Sequence, residues 1–233
     1  MIYSGIKVIG FDADDTLWVN EPIFRQIEDR FISLVRDYDT TGESANELFK
    51  TEMKNLTSYG YGIKGFVLSM IETALRISGG MVPQSVIADV IDLGKEMLNH
   101  PIELLDGVVT TLEKLKPDYR LIVVTKGDLL DQERKLRKSG IEHYFHHTEV
   151  VSDKTEENYA NLLTHFDIDP GEFLMVGNSV KSDILPILNI GSNAVHVPYH
   201  TTWQHEMVDT NGIDQKNPYH TIDRITDLVD LLE

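Results

Sequence analysis

The chain has 233 residues, 41% hydrophobic and 25% charged, with no cysteine. That length admits one large domain or a main domain with a smaller one, and the composition excludes wholesale disorder. With 21 Lys plus Arg against 38 Asp plus Glu, the net charge is −17. A chain this acidic has no general grip on nucleic-acid polymers or anionic membranes, which need basic surface to displace counterions. It also repels small anions at long range, so a phosphorylated ligand needs a local positive pocket. The absence of cysteine excludes a disulfide framework, a thiolate metal site and a cysteine nucleophile. No apolar run approaches the ~20 residues of a membrane-spanning helix. The opening MIYSGIKVIGFDADD lacks the basic start and long apolar stretch of a secretion signal, so a cytoplasmic protein is expected.

In chain order, Ile6 to Phe11 (IKVIGF) is short, apolar and partly β-branched, and reads as a buried strand. Glu21 to Tyr38 carries Phe24, Ile27, Phe31, Leu34 and Val35 at helical spacing. Helices are expected over Ala45–Leu56, Phe66–Ile77 and Pro83–Leu98, with a glycine-bearing loop from Thr57 to Gly65. No strand is expected from Val19 to about His100. After Pro101 the pattern alternates. Helices are expected at Val108–Leu115, Leu129–Lys138, Glu156–His165 and Ser182–Asn189, the last stopped by Gly191. Strands are expected at Arg120–Thr125, His147–Val151, Phe173–Gly177 and Asn193–Val197. The acidic tail TIDRITDLVDLLE reads as an amphipathic helix. Strict βα alternation predicts an α/β domain with a parallel sheet and helices on both faces. The predicted organisation is a core of 1–18 and 101–233, interrupted by a helical insert over 19–100.

The ends of the strands carry the chemistry, because open α/β sheets bind ligands at the carboxyl ends of their strands. Phe11-Asp12-Ala13-Asp14-Asp15-Thr16-Leu17 follows the first strand. Residues two apart in extended chain point to one side, so Asp12 and Asp14 can face one pocket. Neighbouring carboxylates repel unless a cation joins them or one keeps its proton. The loop therefore reads as a hard divalent-ion site, a split acid/base pair, or a solvated acidic turn. Thr125, followed by Lys126 and Gly127, closes a second strand with a hydroxyl and free N–H groups suited to an anion. Lys154 follows the third strand, and Gly177-Asn178-Ser179 with Ser182-Asp183 follows the fourth. Each has a plain structural reading: Thr125 a strand end, Lys154 a surface lysine, Asp183 an acid favoured at a helix N-terminus. Their succession at four strand ends in chain order is what points to a shared site.

These segments resemble the four signatures of the haloacid dehalogenase (HAD) superfamily: FDADDTL, LIVVT ending at Thr125, Lys154, and GNSVKSD ending at Asp183. The spacing fits over essentially the whole chain. The helical insert resembles a type I cap, so the resemblance implies a Rossmann-like parallel-sheet core with a helical cap domain over the site. It implies that Asp12 attacks phosphorus and forms an aspartyl phosphate. Asp14 would protonate the leaving oxygen and then deprotonate water. Mg²⁺ would be held by Asp12, the backbone carbonyl of Asp14 and Asp183, an oxygen-only set. Asn178 stands where the family often has Asp, and is expected to be a neutral metal ligand or to support one. Thr125 and Lys154 would neutralise phosphoryl oxygens, with Lys126 as an extra contact.

The dehalogenases and phosphonatases of the superfamily lack the acid matched here by Asp14, and Thr16 resembles the phosphatase pattern. The expected activity is a Mg²⁺-dependent phosphatase acting on a small phosphorylated metabolite. A nucleoside monophosphate and a sugar phosphate are both candidates. The alternatives are a sugar phosphomutase and a HAD-fold binding or regulatory protein. Within the insert, Tyr59, Tyr61 and Lys64 are candidate substrate contacts, by stacking on a base or sugar or meeting a second anion. The same loop also reads as an exposed turn. Trp18 reads as hinge packing or as a pocket wall. The loosely spaced histidines do not match a zinc site, which has tighter ligand spacing. A monomer or homodimer is expected.

Overall fold

The computed structural model describes residues 3–207 and 219–232. It divides into two compact units. One is built from the residues up to Glu21, Ile102–Lys126 and the chain from Gln132 onward; the other from Pro22–Pro101 and Gly127–Asp131.

The first unit carries a six-stranded sheet among the described residues. Its strands are β1 (Val8–Phe11), β2 (Arg120–Lys126), β3 (His147–Val151), β4 (Phe173–Gly177), β5 (Asn193–His196) and β6 (His220–Thr221). The order across the sheet is β3-β2-β1-β4-β5-β6, and every pairing is parallel. The chain moves from β1 outward to β2 and β3, then returns to the other side of β1 for β4. The order therefore reverses at β1, and a sheet of this kind opens its binding crevice there.

Side-chain alternation explains the layers. Ile9, Phe11, Leu121, Val123, Leu174 and Val176 face one side, with Val108, Leu112 and Leu115 of α5 (Val108–Leu115). Leu136 of α6 (Leu129–Ser139) and Leu228, Val229 and Leu232 of α9 (Leu228–Leu232) complete that layer. Val8, Ile122, Val124, Phe173 and Met175 face the other side. There they meet Tyr159, Leu162 and Leu163 of α7 (Glu156–His165) and Ile187 of α8 (Leu185–Asn189). Central parallel strands buried on both faces need this near-continuous apolar sequence.

Two expected elements differ here. The Ser182–Asn189 helix begins with a wide π-type turn over Val180–Ile184, and α8 starts only at Leu185. Ser179 accepts from the Ser182 N–H at 3.1 Å and sets that turn. In the tail, His220–Thr221 pairs with β5 as a sixth strand, and only Leu228–Leu232 is α-helical. The period-3.6 pattern there is short enough for sheet hydrogen bonding to take its first residues. Glu233 lies outside the described residues.

The second unit is helical. α1 (Glu21–Val35), α2 (Ser44–Tyr59), α3 (Ile63–Ile77) and α4 (Gln84–Asn99) supply it. They bury Phe31, Leu48, Phe66, Met70, Val90 and Leu93 in one cluster. The expected loop from Thr57 to Gly65 shrinks to Gly60, Tyr61 and Gly62, because α2 runs to Tyr59 and α3 starts at Ile63. Gly60 ends α2 with φ +69° and Gly62 precedes α3 with φ +107°, both in the region where a side chain is strained. The third glycine, Gly65, is helical, and an added Cβ there would lie 2.8 Å from the Gly60 carbonyl. It marks close packing rather than a turn.

Candidate active site

Asp12 leaves the end of β1 with its N–H bonded to the Val176 carbonyl of β4 at 2.9 Å. That bond places its carboxylate over the centre of the sheet. Beyond it the chain turns sharply, with the Leu17 N–H on the Ala13 carbonyl at 2.8 Å. Asp15 takes φ 62° in this turn, and its carboxylate accepts from the N–H groups of Asn20 and Glu21 at 2.8 and 2.9 Å. Burial pushes the Asp15 carboxyl up to about 7.

Lys154, just past β3, reaches the same place from the other side of β2. Its ammonium pairs with Asp12 Oδ1 and lies 2.6 Å from Asp183 Oδ1. All three side chains are buried. Burial opposes the charge on Lys154, but the two carboxylates outweigh it and hold the ammonium well above its usual range. Asp12 is also pushed up, to about 7: burial raises its carboxyl, Lys154 only partly offsets this, and Asp183 adds repulsion. The Asp183 carboxylate is fixed by the Ser179 N–H at 3.0 Å. It also needs Gly177, where an added Cβ would lie 2.3 Å from the Asp183 carboxyl carbon. The Thr16 hydroxyl donates to Asp12 Oδ2 at 3.0 Å and lies 3.4 Å from Asn178 Oδ1. Asp12, Lys154, Asp183 and Asn178 are thus brought together.

Asp14 does not share those partners. Its Oδ1 takes hydrogen bonds from Lys135 Nζ and Trp18 Nε1, both at 2.6 Å, and its Oδ2 takes one from Gln132 Nε2 at 2.8 Å. Burial works against its ionisation, yet the Lys135 charge and these bonds outweigh it and hold the carboxyl below its usual range. The two acids therefore face different networks, because the chain abandons extended geometry directly after Asp12. Trp18 is buried, and its indole N–H is spent on Asp14.

Thr125 is buried at the end of β2, and its hydroxyl makes only a loose 3.5 Å contact with the Lys126 carbonyl. Lys126 was expected at an anion. Here its ammonium pairs with Glu206 and donates to Ser182 Oγ at 3.0 Å. Glu206 also accepts from Ser179 and Ser182 at 2.5 and 2.6 Å. Burial opposes its charge, but Lys126 and the two hydroxyls draw the carboxyl down to about 2. Tyr59, Tyr61 and Lys64 belong to the helical unit. The Tyr59 hydroxyl donates to Glu72 at 2.9 Å, and Lys64 pairs with Asp128 at 2.9 Å. Sequence reasoning missed Gln132, Lys135 and Glu206, and gave Ser179 and Ser182 a place in the fourth strand-end segment but no role. The one signal for Gln132 and Lys135 is their three-residue spacing, which sets both on one helix face.

The donor set suits a hard divalent cation. Two buried carboxylates share one ammonium, leaving a surplus negative charge that a cation relieves. Among the described residues no group of three or more His, Cys, Asp or Glu side chains can hold a metal. A cation here would therefore complete its shell with the Asp14 carbonyl, the Asn178 amide oxygen and water, as Mg²⁺ does.

The profile of haloacid dehalogenase-like hydrolases matches residues 6–191, and the chain belongs to that family. A haloacid dehalogenase-like family hydrolase from Xanthomonas campestris has the same fold. It superposes with a TM-score of 0.80 at 36% identity, covering 88% of this chain and 86% of that one. Human N-acylneuraminate-9-phosphatase is 23% identical over 245 residues, 99% of this chain and 95% of its own. Glyceraldehyde 3-phosphate phosphatase of Methanothermobacter thermautotrophicus is 28% identical over 241 residues, 97% of this chain and 100% of its own. Among the described residues no helix is long and apolar enough to cross a membrane.

Proposed function

We propose that this hydrolase is a Mg²⁺-dependent phosphatase that cleaves a small phosphorylated metabolite through an aspartyl phosphate on Asp12. The observation that carries the reading is the meeting of Asp12, Lys154 and Asp183 at the reversal point of the sheet, with Asp14 two residues on. An Asp12 oxygen attacks phosphorus as the ester P–O bond breaks, and a proton on Asp14 passes to the leaving oxygen. A water then attacks the phosphorus, gives its proton to Asp14, and inorganic phosphate leaves as the bond to Asp12 breaks. A carboxyl held below its usual range favours the ionised form, which is the one needed for that second step. Lys154 orients Asp12 and balances charge on the phosphoryl oxygens, and the loosely held Thr125 hydroxyl is available to one of them. Asp12 and Asp183 would hold Mg²⁺, which would supply positive charge to screen the approach of one anion to another.

The relatives named for N-acylneuraminate 9-phosphate and glyceraldehyde 3-phosphate support a sugar-phosphate-like substrate over a nucleoside monophosphate. The helical unit is read as the cap that selects it, through the turn at Gly60–Gly62 and the neighbouring Tyr59 and Lys64. Release of phosphate from a panel of sugar phosphates, nucleotides and small phospho-acids tests the reading. Purified protein with Mg²⁺ should hydrolyse at least one class, and Asp12→Asn should lose on the order of 10³-fold or more. No release from any member of the panel rejects it.

A further inference from the structure

We propose that Lys135 and Gln132 of α6, together with Trp18, are positioning residues for Asp14: they grip both oxygens of its carboxylate and aim it at the leaving group. The inference rests on the phosphatase reading above and deepens it.

The grip comes from two separate stretches of chain. Trp18 stands four residues after Asp14, and its indole N–H fixes Oδ1 at 2.6 Å. Lys135 reaches the same oxygen at 2.6 Å, and Gln132 holds the other at 2.8 Å. Two oxygens anchored from two directions leave the carboxylate no free rotation about its last torsion. The anchors are themselves anchored. Lys135 Nζ also donates to Asn20 Oδ1 at 2.9 Å, and Gln132 Nε2 to the Lys126 carbonyl at 3.1 Å. That second bond ties the holder to the end of β2, next to Thr125.

Packing alone does not account for these side chains. Trp18 is 1% exposed, Gln132 4% and Lys135 9%. Leu136, beside Lys135, packs into the apolar layer, where any aliphatic side chain serves. Gln132 buries its Oε1 without a hydrogen-bond partner. An apolar residue of similar length fills the position without that unfavourable burial. What the amide and the ammonium add is the pair of donors on Asp14. A general acid or base acts only within hydrogen-bond reach of the proton it moves, so a fixed carboxylate matters most when the leaving oxygen needs a proton.

The test is leaving-group dependence of kcat/KM, which reports the step that releases the alcohol. p-Nitrophenyl, phenyl and benzyl phosphate form a series of similar size and rising leaving-group basicity. Nitrophenolate departs without a proton, whereas benzyl alkoxide requires one. Lys135→Met should lower kcat/KM on benzyl phosphate at least about tenfold more than on p-nitrophenyl phosphate. Lys135→Arg, which keeps a donor, should recover most of the difference. Gln132→Leu should show the same pattern, and it carries the test if Lys135→Met does not fold. Equal losses on all three esters, or an unchanged or raised rate on benzyl phosphate, overturn the inference while leaving the phosphatase reading intact. A wild type that hydrolyses none of the three, and no member of the phosphate panel, overturns both.

Discussion

Replacing Lys154 by Met keeps the length of the side chain and removes its charge from between two buried carboxylates. The ammonium lies 2.6 Å from Asp183 Oδ1, and the side chains of Lys154 and Asp183 are 2% and 1% exposed. At an effective dielectric of about 20, that one pair attracts by about 6 kcal/mol before desolvation is counted. Breaking a buried pair by deleting one partner costs about 3–5 kcal/mol, because the remaining charge stays buried and unbalanced. For a chain of this length each kcal/mol is about 2–4 °C of midpoint, so metal-free Lys154→Met should melt about 6–20 °C below wild type. The assay is thermal unfolding followed by circular dichroism, in EDTA and again in excess Mg²⁺. The bared carboxylates should bind the cation more readily than in wild type, and ligand binding to the native state raises the midpoint. Mg²⁺ should therefore raise the midpoint further in the variant than in the wild type. A variant that melts within 1–2 °C of wild type in EDTA, or one that gains no more from Mg²⁺, refutes the charge balance inferred for this site.

Gly177→Ala would place a methyl 2.3 Å from the Asp183 carboxyl carbon, where ordinary contact begins near 3.4 Å. The carboxylate has to move by more than 1 Å, so the half-saturating Mg²⁺ concentration for turnover should rise at least about tenfold. The overpacking should cost about 1–3 kcal/mol by denaturant titration. Asp15 supplies a pH test. Its carboxyl is raised to about 7 in the fold from an ordinary value of 3.8, so the folded chain binds the proton more tightly than the unfolded one. That contribution is full below the unfolded value and is lost as pH rises through the folded one. Asp15→Asn should therefore gain stability relative to wild type as pH rises from about 4 to about 7, measured by urea titration at several pH values. A constant difference across that range contradicts the burial argument.

The strands of the core were legible because a parallel sheet buried on both faces demands apolar runs, as in FLMVG at Phe173–Gly177 and LIVV within Arg120–Lys126. The acids and lysine at their ends stood out because they interrupt such runs. Thus Asp12, Lys154 and Asp183 could be named from the chain alone, and the structure joins them around one ammonium. The partners of Asp14 could not. Lys135 lies 121 residues away and Gln132 lies 118 residues away, on a helix whose sequence reads as an ordinary charged surface. The same holds for Lys126, whose free-looking charge is met by Glu206 some 80 residues later. The −17 charge shows the division well. The sequence by itself determined that acids exceed bases, that a sheet forms, and which residues stand at its strand ends. Only the tertiary structure decided which charges oppose each other there, because electrostatic pairing acts across space at a few ångströms and leaves no periodic trace along the chain.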